Sequence, residues 1–161
     1  MAKHAVIRTD LMAGTDVRSE LVSIKYTTAD IDNGNVLAVG DLADGEREIY
    51  TGAAPTAATS IDNIVIIASP EVMYETEKRN LTDFYNEKGS ICRGYRLHKN
   101  DIFSVTAEAI DGTPAKGSII ELQAGVKLKA VTSLTQGSTK VGEVIAVETA
   151  GALTYYVVRV A

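Results

Sequence analysis

Apolar residues in this chain recur at every second position more often than at every third or fourth, and that period predicts strands. Leu21 to Tyr26 sets Val22, Ile24 and Tyr26 on one face and Ser23 and Lys25 on the other. Phe103, Val105, Ala107 and Ala109 alternate with Ser104, Thr106 and Glu108. Ile64 to Ala68 is instead a continuous apolar run, as expected of a strand covered on both faces. Ile119 to Leu122 and Val126 to Val131 flank Ala124-Gly125, with Lys127 and Lys129 on the wet face. Val141 to Thr149 and Leu153 to Val160 flank Ala150-Gly151, which reads as a hairpin.

The breaks between these runs carry turn chemistry. Asp32-Asn33-Gly34-Asn35 and Asp44-Gly45 bracket Val36 to Val39, and Arg47 to Tyr50 returns as its partner strand. Thr51 to Ser60 holds only small residues and Pro, so it reads as an exposed loop. The helical signal is confined to Ser69–Gly89. Ser69-Pro70 suits N-cap and N1, Asn80 with Asp83 resembles a capping box, and Leu81, Phe84 and Tyr85 share a helical face. One or two short helices are expected there. The fold expected is mainly β: a sandwich or partly open barrel of short antiparallel strands. No fixed-period repeat is present.

Residues 1–20 have no clear period, and Gly14-Thr15-Asp16 interrupts them. They predict an N-terminal arm ahead of a single β-rich domain at 21–161. The arm carries Val6, Ile7, Leu11 and Met12, which an isolated segment cannot bury by itself. These four are the candidate partner-binding residues.

Composition narrows the classes of function. Residues 10–87 carry fifteen acids and five bases, whereas residues 88–161 carry six acids and nine bases. An acidic first half disfavours nucleic acid as the main partner, since phosphate needs a coherent basic surface. The mildly basic stretch Lys88, Arg93, Arg96, His98 and Lys99 includes Tyr95, but strand alternation would scatter it: Arg93 and Tyr95 point one way, Arg96 and His98 the other. The apolar run Ile64–Ala68 is far too short to cross a bilayer. The start lacks an apolar core of signal-peptide length, so a soluble protein folding in a reducing cytoplasm is expected.

Chemistry-bearing residues are sparse. Cys92 has no second cysteine to bridge to, and His4 and His98 are the two histidines. No zinc spacing, phosphate-binding loop or dinucleotide fingerprint exists. A Cys92–His98 dyad lacks the flanking pattern of a cysteine hydrolase. Glu71, Glu75 and Glu77 cluster, and on a helix Glu71 and Glu75 would share a solvated face. Asn80-Leu81-Thr82 matches a glycosylation acceptor, which has no meaning without a secretory route. The metal- and uracil-binding signatures of trimeric deoxyuridine-triphosphate pyrophosphatases are not visible. No catalytic residue, cofactor or metal is assigned, and the chain reads as a non-enzyme.

Several segments together resemble a known class. They are Asp30-Ile31-Asp32-Asn33-Gly34-Asn35-Val36-Leu37, Gly45-Glu46-Arg47-Glu48-Ile49-Tyr50, Ser69-Pro70-Glu71-Val72-Met73-Tyr74, Asp101-Ile102-Phe103-Ser104-Val105-Thr106, and the close over Tyr155 to Val160. This set resembles the capsid decoration, or head cement, proteins of tailed bacteriophages. The resemblance implies many copies on the capsid exterior, bridging neighbouring major capsid protein subunits, with assembly in the bacterial cytoplasm. It leaves homo-oligomerisation open and implies neither nucleic-acid nor membrane binding. A tail or head–tail connector component, and a non-catalytic ligand-binding β module, are the other readings. The absence of Trp weakens a carbohydrate-binding module, because sugar platforms favour aromatic faces.

Overall fold

Strand β5 (Ile64–Ile67) is buried along its whole length, and the architecture follows from it. Val65 and Ile67 point one way, into a core with Val22, Ile24, Leu37 and Cys92. Ile64 and Ile66 point the other way, into a second core with Phe103, Val105, Val144 and Val158. The continuous apolar run is therefore a wall shared by two sheets. These are features of a computed structural model that describes residues 3–161.

The first core fills a closed barrel of five strands in the order β2-β4-β3-β5-β6. They are β2 (Leu21–Lys25), β3 (Val36–Leu42), β4 (Ile49–Ala53), β5 and β6 (Ile91–Arg96). Closure is made by β6 returning antiparallel to β2, with Ile24 opposite Cys92. A barrel of so few strands has little room inside. A Cβ on Gly94 would lie 2.6 Å from Val65 Cγ2, so this position must be glycine for β5 and β6 to approach.

The second core lies under a seven-stranded sheet of order β1-β7-β12-β11-β9-β10-β8. Its strands are β1 (Ile7–Leu11), β7 (Ile102–Thr106), β8 (Ile110–Asp111), β9 (Ile119–Glu121), β10 (Leu128–Val131), β11 (Lys140–Ala150) and β12 (Leu153–Val160). The predicted hairpin at Ala150-Gly151 joins β11 to β12, paired from Gly142↔Val160 to Ala150↔Leu153. The turn at Asp32–Asn35 forms with Gly34 at φ +90°, a conformation glycine adopts without strain. The chain is mainly β, as its periodicity predicts. Two pairings, β2–β4 and β8–β10, are parallel rather than antiparallel.

Three expectations are corrected. The segment read as an arm is part of the fold: β1 is an edge strand on β7, with Ile7 opposite Val105, so no boundary falls at residue 20. Thr51–Ala53, read as loop, belongs to β4. The Ser69–Gly89 stretch holds only one short 3-10 turn, Leu81–Asp83. The expected capping box forms on that turn, where the Asn80 N–H donates to Asp83 at 3.1 Å, but the Ser69 cap is spent elsewhere. The Ser69 N–H donates to the Asn33 side chain at 3.0 Å, and the Ser69 hydroxyl accepts from the Arg93 N–H at 3.0 Å. Tertiary contacts thus override a short helix that would be marginal in isolation. Among the described residues, the one α-helical turn is Ala13–Asp16.

Candidate protein-binding surface

The four residues proposed to meet a partner divide three to one. Val6, Ile7 and Met12 are buried in the protein itself, while Leu11 is 64% exposed. Their segment is bonded at several points. The His4 ring donates Nδ1–H to Asp32 at 2.7 Å, and the Ala5 N–H donates to the same carboxylate at 3.0 Å. Val6 and Thr106 exchange two bonds, one through the Thr106 hydroxyl and one through its N–H, each 3.1 Å. The Ala13 N–H donates to Asp101 at 3.2 Å. Val6, Ile7 and Met12 are therefore corrected from partner contacts to core residues. Their apolar character called for burial, and β7 together with the sheet core supplies it.

The reactive side chains are kept apart. Cys92 faces the barrel core, and burial pushes its thiol pKa up. His98 lies outside, half exposed and bonded to Glu20, which raises its pKa. The structure does not bring Cys92 and His98 together. Glu71, Glu75 and Glu77 lie on irregular chain rather than a helix, and Glu75 pairs with Lys78 at 3.0 Å. Among the described residues, no group of three or more His, Cys, Asp or Glu is placed to hold a metal ion. No helix among them is long and apolar enough to cross a membrane.

A cluster of exposed apolar side chains forms where the segment after β5 meets the start of β6. Tyr74 is 92% exposed, and Val72 and Ile91 are more than half exposed. They line one cleft of about 510 Å³, with Phe84 and Tyr85 in its wall. A buried polar clamp holds both ends of this segment. Asn33 donates Nδ2–H to the Ser69 carbonyl at 2.9 Å, and the Asn86 Nδ2–H reaches Asn33 Oδ1 at 3.1 Å. Ile31 and Asn86 also exchange backbone bonds of 2.9 Å in both directions. The chain between Ser69 and Asn86 is thereby tethered at both ends, and Val72 and Tyr74–Glu77 within it are exposed. Sequence reasoning missed this surface because it sought a helix there. The available signal was Val72-Met73-Tyr74 in a stretch that no strand or helix could bury.

No family model, curated protein or solved structure matches this chain.

Proposed function

We propose that this chain is a structural protein of a tailed-bacteriophage particle, bound to the outer surface of the capsid and stabilising it by bridging major capsid protein subunits. The resemblance supports this reading through segments that occupy the exposed face as well as the core. Ser69–Tyr74 forms the near side of the open cleft, whereas Asp101–Thr106 and Tyr155–Val160 supply β7 and β12.

The observation that carries the proposal is Tyr74, standing almost free of its own protein beside Val72 and Ile91. Large apolar side chains gathered on one cleft mark protein contact sites. Aromatic residues are enriched at such contacts. Burying each aliphatic or aromatic side chain is worth roughly 1.5–3 kcal/mol before ordering costs. The test is co-sedimentation with undecorated capsids. Wild-type protein should pellet with capsids and raise their rupture temperature, and a Val72→Ser, Tyr74→Ala, Ile91→Ser variant should do neither. Binding to isolated tails with none to capsids would replace this reading with a tail component.

A further inference from the structure

Beside the apolar cleft runs a second groove, of about 660 Å³, onto which three arginines from distant parts of the chain converge. Arg18 comes from the 3-10 turn before β2, Arg47 from the β3–β4 connection, and Arg93 from β6. All three are exposed, and none forms an ion pair within 4.0 Å among the described residues. Glu48 is the single carboxylate lining the groove, so its charge is net positive in a chain of net charge −5. The linear sequence hides this, because Arg18 and Arg47 lie in its acid-rich half.

The two depressions form one surface. Ser69, Pro70 and Ile91 line both. One end carries the apolar Val72, Tyr74 and Ile91, with Glu87 and a Glu75 paired to Lys78 also in its lining, and the other is cationic. We propose that this composite surface receives an extended acidic segment of the partner protein, with an apolar side chain seated at Tyr74 and Ile91 and carboxylates lying along Arg18, Arg47 and Arg93. The guanidinium fork matches a carboxylate with two parallel N–H···O bonds, which a lysine cannot do. Tyr and Arg are also the residues over-represented at the centres of protein interfaces. A nucleic-acid backbone fits less well. It has no use for the apolar half, and the chain's net negative charge repels it.

Assigning the segment to a capsid protein rests on the function proposed above, so the test has an arm that does not. In the first arm, wild-type protein and an Arg18→Glu, Arg47→Glu, Arg93→Glu variant are sedimented with undecorated capsids at low and high salt. The variant should keep its melting temperature, since all three side chains are exposed. Its capsid affinity should fall about tenfold or more and lose most of its salt dependence. Capsid binding by the variant equal to wild type at both salts overturns the inference. In the second arm, the probe is a synthetic peptide of one Phe followed by four Glu, with a Phe and four Gln control. The structure predicts binding of the acidic peptide alone, abolished in the variant. Equal binding of both peptides, or of neither, overturns the inference. Failure of wild-type protein to bind capsids, with selective peptide binding retained, rejects only the assignment to a capsid. Two results overturn the choice of partner: arginine-dependent binding of a single-stranded oligonucleotide as tight as that of the peptide, or arginine-dependent self-association.

Discussion

Residues 3–13 and residues 70–80 both carry large apolar side chains, yet the fold treats them oppositely. The first is bonded along its length, by Asp32 at His4 and Ala5, by Thr106 at Val6, by β7, and by Asp101 at Ala13. The second is held at its ends by Asn33 and Asn86, and Tyr74 between them projects into solvent. What separates them is where backbone polar groups find partners. A segment whose N–H and C=O groups are met by a neighbouring strand brings its side chains into the core with them. A segment clamped only at its ends leaves its side chains for something else.

The largest predicted effect comes from breaking the first region. Removing residues 1–17 uncovers the edge of β7 and takes Val6, Ile7 and Met12 out of the core, so cooperative thermal unfolding should be lost. Met12→Ala alone should cost about 2–5 kcal/mol in urea melts. An unchanged melt for the truncated chain would mean that the segment contributes nothing to the core.

Breaking the clamp of the second region comes next. Asn33→Ala leaves the buried Ser69 N–H without its acceptor, the Ser69 carbonyl without its donor and the Asn86 amide with the Ile31 carbonyl alone, at about 1–3 kcal/mol for each unmet group. Limited proteolysis should then cut faster within residues 70–80. Equal cleavage of variant and wild type would show that the ends are held by other contacts.

A third loop sharpens the comparison because a single carboxylate holds it. Glu121 on β9 is buried and accepts from the Thr135 N–H at 2.8 Å and the Thr135 hydroxyl at 2.7 Å, with Lys129 at 3.6 Å. Burial pushes the Glu121 carboxyl up, but the Thr135 bonds and the Lys129 charge outweigh it and hold the pKa below the ordinary value. A lowered folded-state pKa gives stability that is present above the unfolded-state pKa and is lost as pH falls through the folded one. Glu121→Gln should therefore cost about 1–3 kcal/mol near neutral pH and progressively less in acid. The gap between the two urea-melt series should close at low pH, and a gap independent of pH would contradict the sign.

The smallest effect belongs to the exposed region. Tyr74→Ala should shift stability by no more than about 0.5 kcal/mol, as is usual for surface positions. A larger loss in thermal or urea melts would mean that Tyr74 packs on its own protein.

Much of the fold is legible from alternation. The face of β2 carrying Val22 and Ile24, the doubly buried β5, the Asp32–Asn35 turn and the β11–β12 hairpin all follow from local pattern. The placement of β1 does not, because its alternation is broken: the pairing with β7 shifts register between Arg8 and Leu11. The failed helix after Ser69 is of the same kind, since only the tertiary fold brings Asn33 to Ser69. The arginine groove was equally hidden. Arg93 stands out in a basic stretch, but Arg18 and Arg47 meet it only once β2, β4 and β6 close the barrel.

The central claim is that the 70–93 surface binds a partner while the N-terminal segment belongs to the fold. Amide hydrogen exchange of the protein, free and bound to undecorated capsids, tests it most directly. In the free protein, the amides of Val6 and Thr106, which are bonded to each other's residue, should be protected and those of residues 71–77 should exchange fast. On the capsid, protection should appear over residues 71–77 and leave β1 unchanged. Fast exchange of β1 in the free protein, with protection there on binding, would contradict the account.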